Sequence, residues 1–133
     1  MRTLVALALA GIAVVAPVGS AMAEPGFAPP EVPPGGVVFT DNPSIVNPHP
    51  MRVESWSRSP NANAVNVNFT SGTDQCYGVT AQAQETAETV TVDLQGGMLP
   101  GPSNRACIMI ALFGTLEVPL AAPLGDRRVL SAA

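Results

Sequence analysis

Alternating apolar and polar residues predict a chain built from short β-strands. Residues 65–70 (VNVNFT) and 89–94 (TVTVDL) change character at every step. This alternation is typical of strands that have one face on a core and the other in water. We therefore expect the valines of both segments to face inward, and Asn66 and Asn68 to face water.

Clusters of glycine, proline, asparagine and aspartate separate these segments from further strand candidates. The other candidates are residues 52–57, 76–83, 108–113, 116–120 and 127–130. The run 108–113 (IMIALF) is apolar throughout, so a strand buried on both faces and a short helix both fit it. Pro119 suggests an edge position for 116–120, because proline has no N–H for a ladder. The pattern predicts an all-β fold, a small immunoglobulin-like or related β-sandwich of about seven strands.

The first 23 residues depart from this pattern. Arg2, an apolar run and the small residues around Met22 predict a secretory signal peptide, cleaved before Glu24. The apolar run is short for a membrane span and is interrupted by Pro17. We therefore expect a secreted, extracellular or cell-wall-associated protein with no membrane span after processing.

Residues 24–50 contain eight prolines. Proline lacks the N–H that sheets and helices require, so the composition predicts a mostly disordered leader and confines the β-sandwich to residues 51–133. A proline-rich recognition segment is the alternative. Gly36–Thr40 is the one stretch suited to dock as an edge strand. On this interpretation, removing residues 24–48 leaves the melting temperature unchanged.

The only two cysteines, Cys76 and Cys107, predict one structural disulfide, as is usual in an exported chain. Closing a loop of this length restricts the unfolded chain by roughly 3–4 kcal/mol. A redox or nucleophilic cysteine is the alternative, but the chain has no CxxC motif, no lysine and one distant histidine. The disulfide suits a domain too small to rely on its core alone.

The charge balance excludes two classes of partner. Beyond residue 23 the chain keeps all ten acidic residues and has only arginines to oppose them. Nucleic-acid binding and attraction to anionic membranes both depend on basic residues. We therefore expect neither, and the remaining candidate partner is an unknown protein or envelope component.

Residues 96–106 (GGMLPGPSNRA) predict a long loop, because three glycines and two prolines interrupt it. Met98 and Leu99 either fold back onto the sandwich or, stiffened by Pro100, project as an anchor for a partner. The second alternative would suit a small secreted protease inhibitor that uses this loop.

No pattern of catalytic, cofactor-binding or metal-ligating residues emerges. His49 has no second histidine or thiolate nearby and predicts a solvated loop residue. Residues 123–127 (PLGDR) resemble an anion site, but a turn in which Asp126 pairs with Arg127 or Arg128 accounts for them. No serine lies in a GxSxG motif, and the acids are scattered. We therefore expect a non-catalytic protein.

Several short motifs together resemble a family of small exported or lipid-anchored actinobacterial proteins of uncharacterised function. The motifs are Cys76–Val79, Glu85-Thr86 before Thr89–Val92, Cys107, Val118–Leu120 and Pro123–Arg127. The resemblance covers about residues 50 to 131, and Leu130-Ser131 stands where many relatives carry an aspartate. It implies an envelope or extracellular setting and no particular activity. With the pattern of strands, it leads us to expect an exported interaction module.

Overall fold

A computed structural model describes residues 27–102 and 104–133 and confirms the all-β prediction. Eight strands and no helix are found in these residues. The strands are β1 (Val37–Phe39), β2 (Val46–Met51), β3 (Ser55–Arg58), β4 (Ala64–Ser71), β5 (Tyr77–Glu85), β6 (Thr89–Met98), β7 (Leu112–Pro119) and β8 (Arg128–Ser131). The predicted signal peptide, residues 1–23, lies outside the described residues.

Two sheets pack face to face. The first has the order β1-β7-β4-β3, with β1 parallel to β7 and the other neighbours antiparallel. In the second, β6 pairs with β5 on one side and with both β2 and β8 on the other. β2 occupies the Leu94–Met98 half of that edge and β8 the Thr89–Val92 half, so the two strands lie end to end.

The core lies between the sheets and is built by the predicted alternation. Inward-facing side chains of both sheets are almost completely buried. They include Phe39, Trp56, Val65, Val67, Phe69, Leu116 and Val118 from the first sheet, and Val79, Val90, Val92, Leu94 and Val129 from the second. Phe39 and Phe69 meet edge to face, with ring centroids 5.2 Å apart. Burial of such side chains is the main stabilising contribution.

Residues 27–45 form a belt around this sandwich, and the belt begins at β3. The N–H of Val32 donates to the carbonyl of Trp56 over 2.8 Å. The indole N–H of Trp56 donates to the carbonyl of Pro29 over 3.1 Å. The belt therefore covers the edge of β3 that β4 leaves free.

The belt then crosses the outer face of the first sheet. Residues 33–36 span its width, because Val32 is bonded to β3 at one edge and β1 forms the other edge. A Cβ on Gly36 would lie 3.2 Å from the ring of Phe113, whose side chain points away from the core. Asn68, on the same face, is fully buried and donates to the hydroxyl of Ser55 over 3.0 Å. The expectation that Asn68 faces water is therefore wrong.

Beyond β1, the belt reaches the outer edge of β5. The N–H of Asn42 donates to the carbonyl of Val79 over 2.9 Å. The carboxylate of Asp41 accepts hydrogen bonds from the Ala81 N–H at 3.0 Å and from the Thr80 hydroxyl at 2.8 Å. The belt thereby connects an edge of the first sheet to an edge of the second.

A pair of glycines lets the belt cross the second sheet towards β2. Gly78 and Gly97 are opposite each other in β5 and β6. A Cβ on Gly78 would lie 2.9 Å from Ile45 Cγ2, and one on Gly97 would lie 2.7 Å from the Val46 carbonyl oxygen. Ile45 is buried in the space that the missing side chains leave.

The predicted disordered leader at residues 24–50 is therefore wrong for residues 27–50, and the domain begins before residue 51. Prolines remove backbone donors, but the belt bonds to β3 largely through the carbonyl groups of Pro29 and Pro30. Two belt residues, Phe39 and Ile45, are themselves buried. The composition correctly signalled the lack of donors, but a lack of donors does not imply a lack of order.

Two other predicted boundaries also change. β6 continues through Gly96–Met98, where a loop was expected, because the glycines allow close packing of Met51 and Ile45. β7 runs through Gly114 without a break, because Phe39 and Phe69 fill the space above that glycine. β7 lies between β1 and β4, but β1 pairs only with Gly114–Leu116, so Pro119 lies at a local edge as suggested.

Candidate functional site

One end of the sandwich is organised by the predicted disulfide. Cys76, just before β5, is bonded to Cys107, and their Cα atoms are 6.0 Å apart. The N–H of Leu99 donates to the carbonyl of Cys76 over 2.8 Å, which holds the chain after β6 to the same place. A disulfide is compatible with an oxidising, extracellular environment. We call this part of the molecule the disulfide end.

Residues 108–111 form a loop that projects from the disulfide end, and we call it the tip loop. It has no regular secondary structure, so neither the buried strand nor the helix considered for 108–113 is found before Leu112. Ile108 is 65% exposed, and Met109 at the apex is fully exposed, at 101%. An apolar sequence that predicted burial therefore lies in solvent.

Phe113 and Val38 extend this apolar surface onto the first sheet. Val38 is 79% exposed and is paired with Thr115, two residues along β7 from the exposed Phe113. Both side chains point away from the core. We call the set Val38, Ile108, Met109, Ile110 and Phe113 the apolar end.

A cleft separates the tip loop from the body of the sandwich. Its volume is about 440 Å³, and it is lined by Gly72, Tyr77 and residues 107–111. A neighbouring cleft of about 330 Å³ lies between Val38 and Leu99, and Asp41 and Asp74 are among its lining residues. The two clefts share Tyr77, so the apolar end is concave as well as exposed and is acidic on the side of Val38.

Arg105 fixes the chain at the base of the tip loop. Its guanidinium donates to the carbonyl of Gln75 over 3.2 Å and to the carbonyl of Leu99 over 2.9 Å. Gln75 precedes Cys76 in the chain, and Leu99 is hydrogen-bonded to Cys76, so both bonds hold Arg105 beside the disulfide. On the other side of the tip loop, Leu112 is paired with Ser71 in the first sheet. The tip loop is thus held at both of its ends.

The residues proposed from sequence as a partner-binding loop lie beside the tip loop but are less prominent. Met98 is the last residue of β6 and is 42% exposed. Leu99 is half-buried and packs on Gly78, since a Cβ there would lie 2.8 Å from Leu99 Cδ2. Pro100 is exposed. Leu99 therefore folds back onto the sandwich, which was one of the two alternatives.

The arginine of the 123–127 turn pairs with a distant acid, and not with Asp126 as expected. The guanidinium of Arg127 lies 3.1 Å from the carboxylate of Glu85, and it also donates to the carbonyls of Ala122 and Pro123. The Ala121 N–H donates to Glu85 over 2.8 Å. This hydrogen bond, with smaller contributions from Arg127, lowers the pKa of Glu85 against the opposing effect of partial burial. The cluster ties β5 to the chain before β8.

His49 lies on β2 opposite Gly96, with its side chain exposed at the entrance of a small cleft. Among the residues that the structure describes, no group of three or more His, Cys, Asp or Glu side chains is arranged to hold a metal ion. No helix in this part of the chain is long and apolar enough to cross a membrane.

The fold and this end define a small β-sandwich closed by one disulfide, with an exposed apolar loop next to the disulfide. Comparison of the chain with protein-family models, with curated proteins and with solved structures finds no match. The sequence did carry a sign of the tip loop, because no charged residue lies between Arg105 and Glu117. An uncharged run of this kind predicts a buried strand equally well, so the pattern alone did not identify the surface.

Proposed function

We propose that the protein is an exported, non-catalytic interaction module that binds a protein of the cell envelope or its surroundings through the apolar end. The observation that carries this proposal is the exposure of three large apolar side chains on one disulfide-linked loop, continued by Phe113 and Val38 on the paired strands β7 and β1. Single exposed apolar residues are ordinary, whereas a contiguous group marks an interaction surface.

The energetics favour a surface that is covered by a partner. Burying an aliphatic or aromatic side chain of this size contributes about 1.5–3 kcal/mol. The loop that carries three of the five is fixed by the disulfide and by Arg105, so little conformational entropy is lost on binding. A rigid apolar projection is the kind of anchor that dominates protein interfaces.

The acidic side of the apolar end favours a protein over a membrane. Asp41 and Asp74 line the cleft that Val38 borders, and Arg105 at the base of the loop uses its guanidinium for internal bonds. Anionic headgroups would be repelled by these carboxylates, whereas a protein with an apolar centre and a basic rim would match them. Export is supported by the N-terminal sequence and by a disulfide that suits an oxidising compartment.

Capture from an envelope extract, compared between matched variants, tests this proposal. Ile108→Ser with Ile110→Ser removes apolar surface from the tip loop and leaves the core untouched. Phe27→Ser is the control, because Phe27 is an exposed aromatic residue beside Arg52 and outside the disulfide end. We expect a defined set of proteins to be retained by the wild type and the control and lost by the double variant. Retention of the same set by all three overturns the proposal.

A further inference from the structure

The tip loop has the shape of a pocket-filling projection. The N–H of Ile110 donates to the carbonyl of Ile108 over 3.2 Å, which closes a tight turn with Met109 at its apex. Met109 is the most exposed of the large apolar residues that the structure describes. Its long unbranched side chain is flexible and adapts to an irregular apolar pocket in a partner.

The backbone of the tip loop is also available to a partner. No backbone hydrogen bond among the described residues involves the N–H or carbonyl of Met109 itself. An exposed segment with free main-chain groups can be bound as an added strand, while its side chains enter pockets. Proteases hold their substrates in this way, with one side chain in a primary specificity pocket.

The tip loop differs from an ordinary protease substrate because the chain is anchored on both sides of it. Cys107 is held by the disulfide on the N-terminal side, and Leu112 is held in the first sheet on the other. If the Met109–Ile110 bond were hydrolysed, both new ends would stay attached to the same rigid body. Product release would then be slow, and the loop would remain in the cleft.

We infer that the partner class of the apolar end is a protease with an apolar primary specificity pocket, and that the tip loop inhibits it with Met109 in that pocket. This inference rests on the proposed function, since it requires the apolar end to be a binding surface. It transfers the inhibitor alternative from residues 96–106, where Leu99 folds inward, to the tip loop. The absence of charge from residue 106 to residue 116 fits a pocket without a charged floor.

A change of specificity provides the test. Chymotrypsin and subtilisin, which accept large apolar side chains, are assayed beside trypsin, whose pocket has an acidic floor. We expect the wild type to inhibit at least one of the first two enzymes, and trypsin only weakly. Met109→Lys should weaken that inhibition by roughly 100-fold or more and create inhibition of trypsin, because a charge is costly in an apolar pocket. Met98→Lys, at the neighbouring exposed methionine, should change neither.

Three results would overturn the inference. They are no inhibition of either apolar-specific enzyme, rapid cleavage in the tip loop without inhibition, and inhibition that Met109→Lys leaves unchanged. Envelope capture that depends on Ile108 and Ile110, combined with any of these, would leave the binding proposal intact and remove only the protease. If neither protease inhibition nor capture that depends on Ile108 and Ile110 is observed, both the protease inference and the binding proposal are overturned.

Discussion

At the scale of single residues, the side chains that fix the structure were recognisable by type but not by partner. Glu85 and Arg127 are 42 positions apart, yet their side chains meet between β5 and the chain before β8. Sequence separation favoured Asp126 as the partner, because neighbours in a turn are the default pairing. Only the tertiary fold shows that the carboxylate of Glu85 also accepts backbone N–H groups, which no sequence pattern specifies.

Glu85→Gln should destabilise the protein at neutral pH by about 1–3 kcal/mol, the usual value for a hydrogen bond to a charged group. The pKa of Glu85 is lowered from its ordinary value of 4.5 in the folded state. Its contribution is therefore complete above pH 4.5 and is lost as the pH falls through the folded pKa. Urea unfolding at pH 7 and at pH 3 measures both effects.

The matched control is Glu88→Gln, at an exposed residue of the neighbouring turn. Its effect on the free energy of unfolding should stay within about 0.5 kcal/mol at both pH values. Equal losses for the two variants at pH 7, or a Glu85→Gln loss that does not decrease as the pH is lowered, would contradict the charged pairing.

At the scale of elements, alternation predicted strands well, and glycine was the main source of error. Residues 65–70 and 89–94 lie in β4 and β6 as expected. Gly96 was placed in a loop and Gly114 between two separate strands, although each is paired within a strand and admits a side chain from another element. The sequence does not distinguish a glycine that ends a strand from one that makes room for a neighbouring side chain. Only the element that packs against the glycine shows which role it has.

Gly97→Ala should destabilise the protein by about 1–3 kcal/mol, because the new methyl group would displace backbone and not merely a flexible side chain. It would lie 2.7 Å from the Val46 carbonyl oxygen and 3.1 Å from Ile45 Cβ. Gly35→Ala is the control, since nothing lies within 4 Å of a Cβ there. Melting temperatures that fall equally, or not at all, would show that the belt does not press on β6.

At the scale of the whole molecule, the belt was the largest difference from the sequence prediction. The fold class, the disulfide and the core were accessible, since alternation and cysteine number report on them directly. The course of residues 27–45 was not accessible, because it depends on edges and glycine gaps that exist only after the sheets assemble. The apolar end was missed for a related reason. Hydrophobicity predicts burial, and nothing local to 108–113 shows that the core is already full.

Deleting residues 24–48 should strongly destabilise the protein, in contrast to the expectation from composition. Phe39 and Ile45 are buried, and each should contribute about 1.5–3 kcal/mol. Strands of both sheets, among them β3, β5 and β7, would also lose hydrogen-bonded neighbours. A full-length variant with Phe39→Ser and Ile45→Ser isolates the apolar part, and Val38→Ser, at an exposed position, is its control. An unchanged melting temperature after the deletion would restore the disordered leader.

The claim that the chain presents an apolar loop in solvent at its disulfide end is tested most directly by the rates of methionine oxidation. Dilute hydrogen peroxide converts accessible methionines to sulfoxides, which peptide mass spectrometry measures site by site. In the folded protein with its disulfide intact, Met109 should react fastest, Met98 more slowly, and Met51, which packs against the core, slowest. All three rates should become similar in denaturant. A folded protein in which Met109 reacts as slowly as Met51 would contradict the exposed tip loop, and both proposals about it would fall.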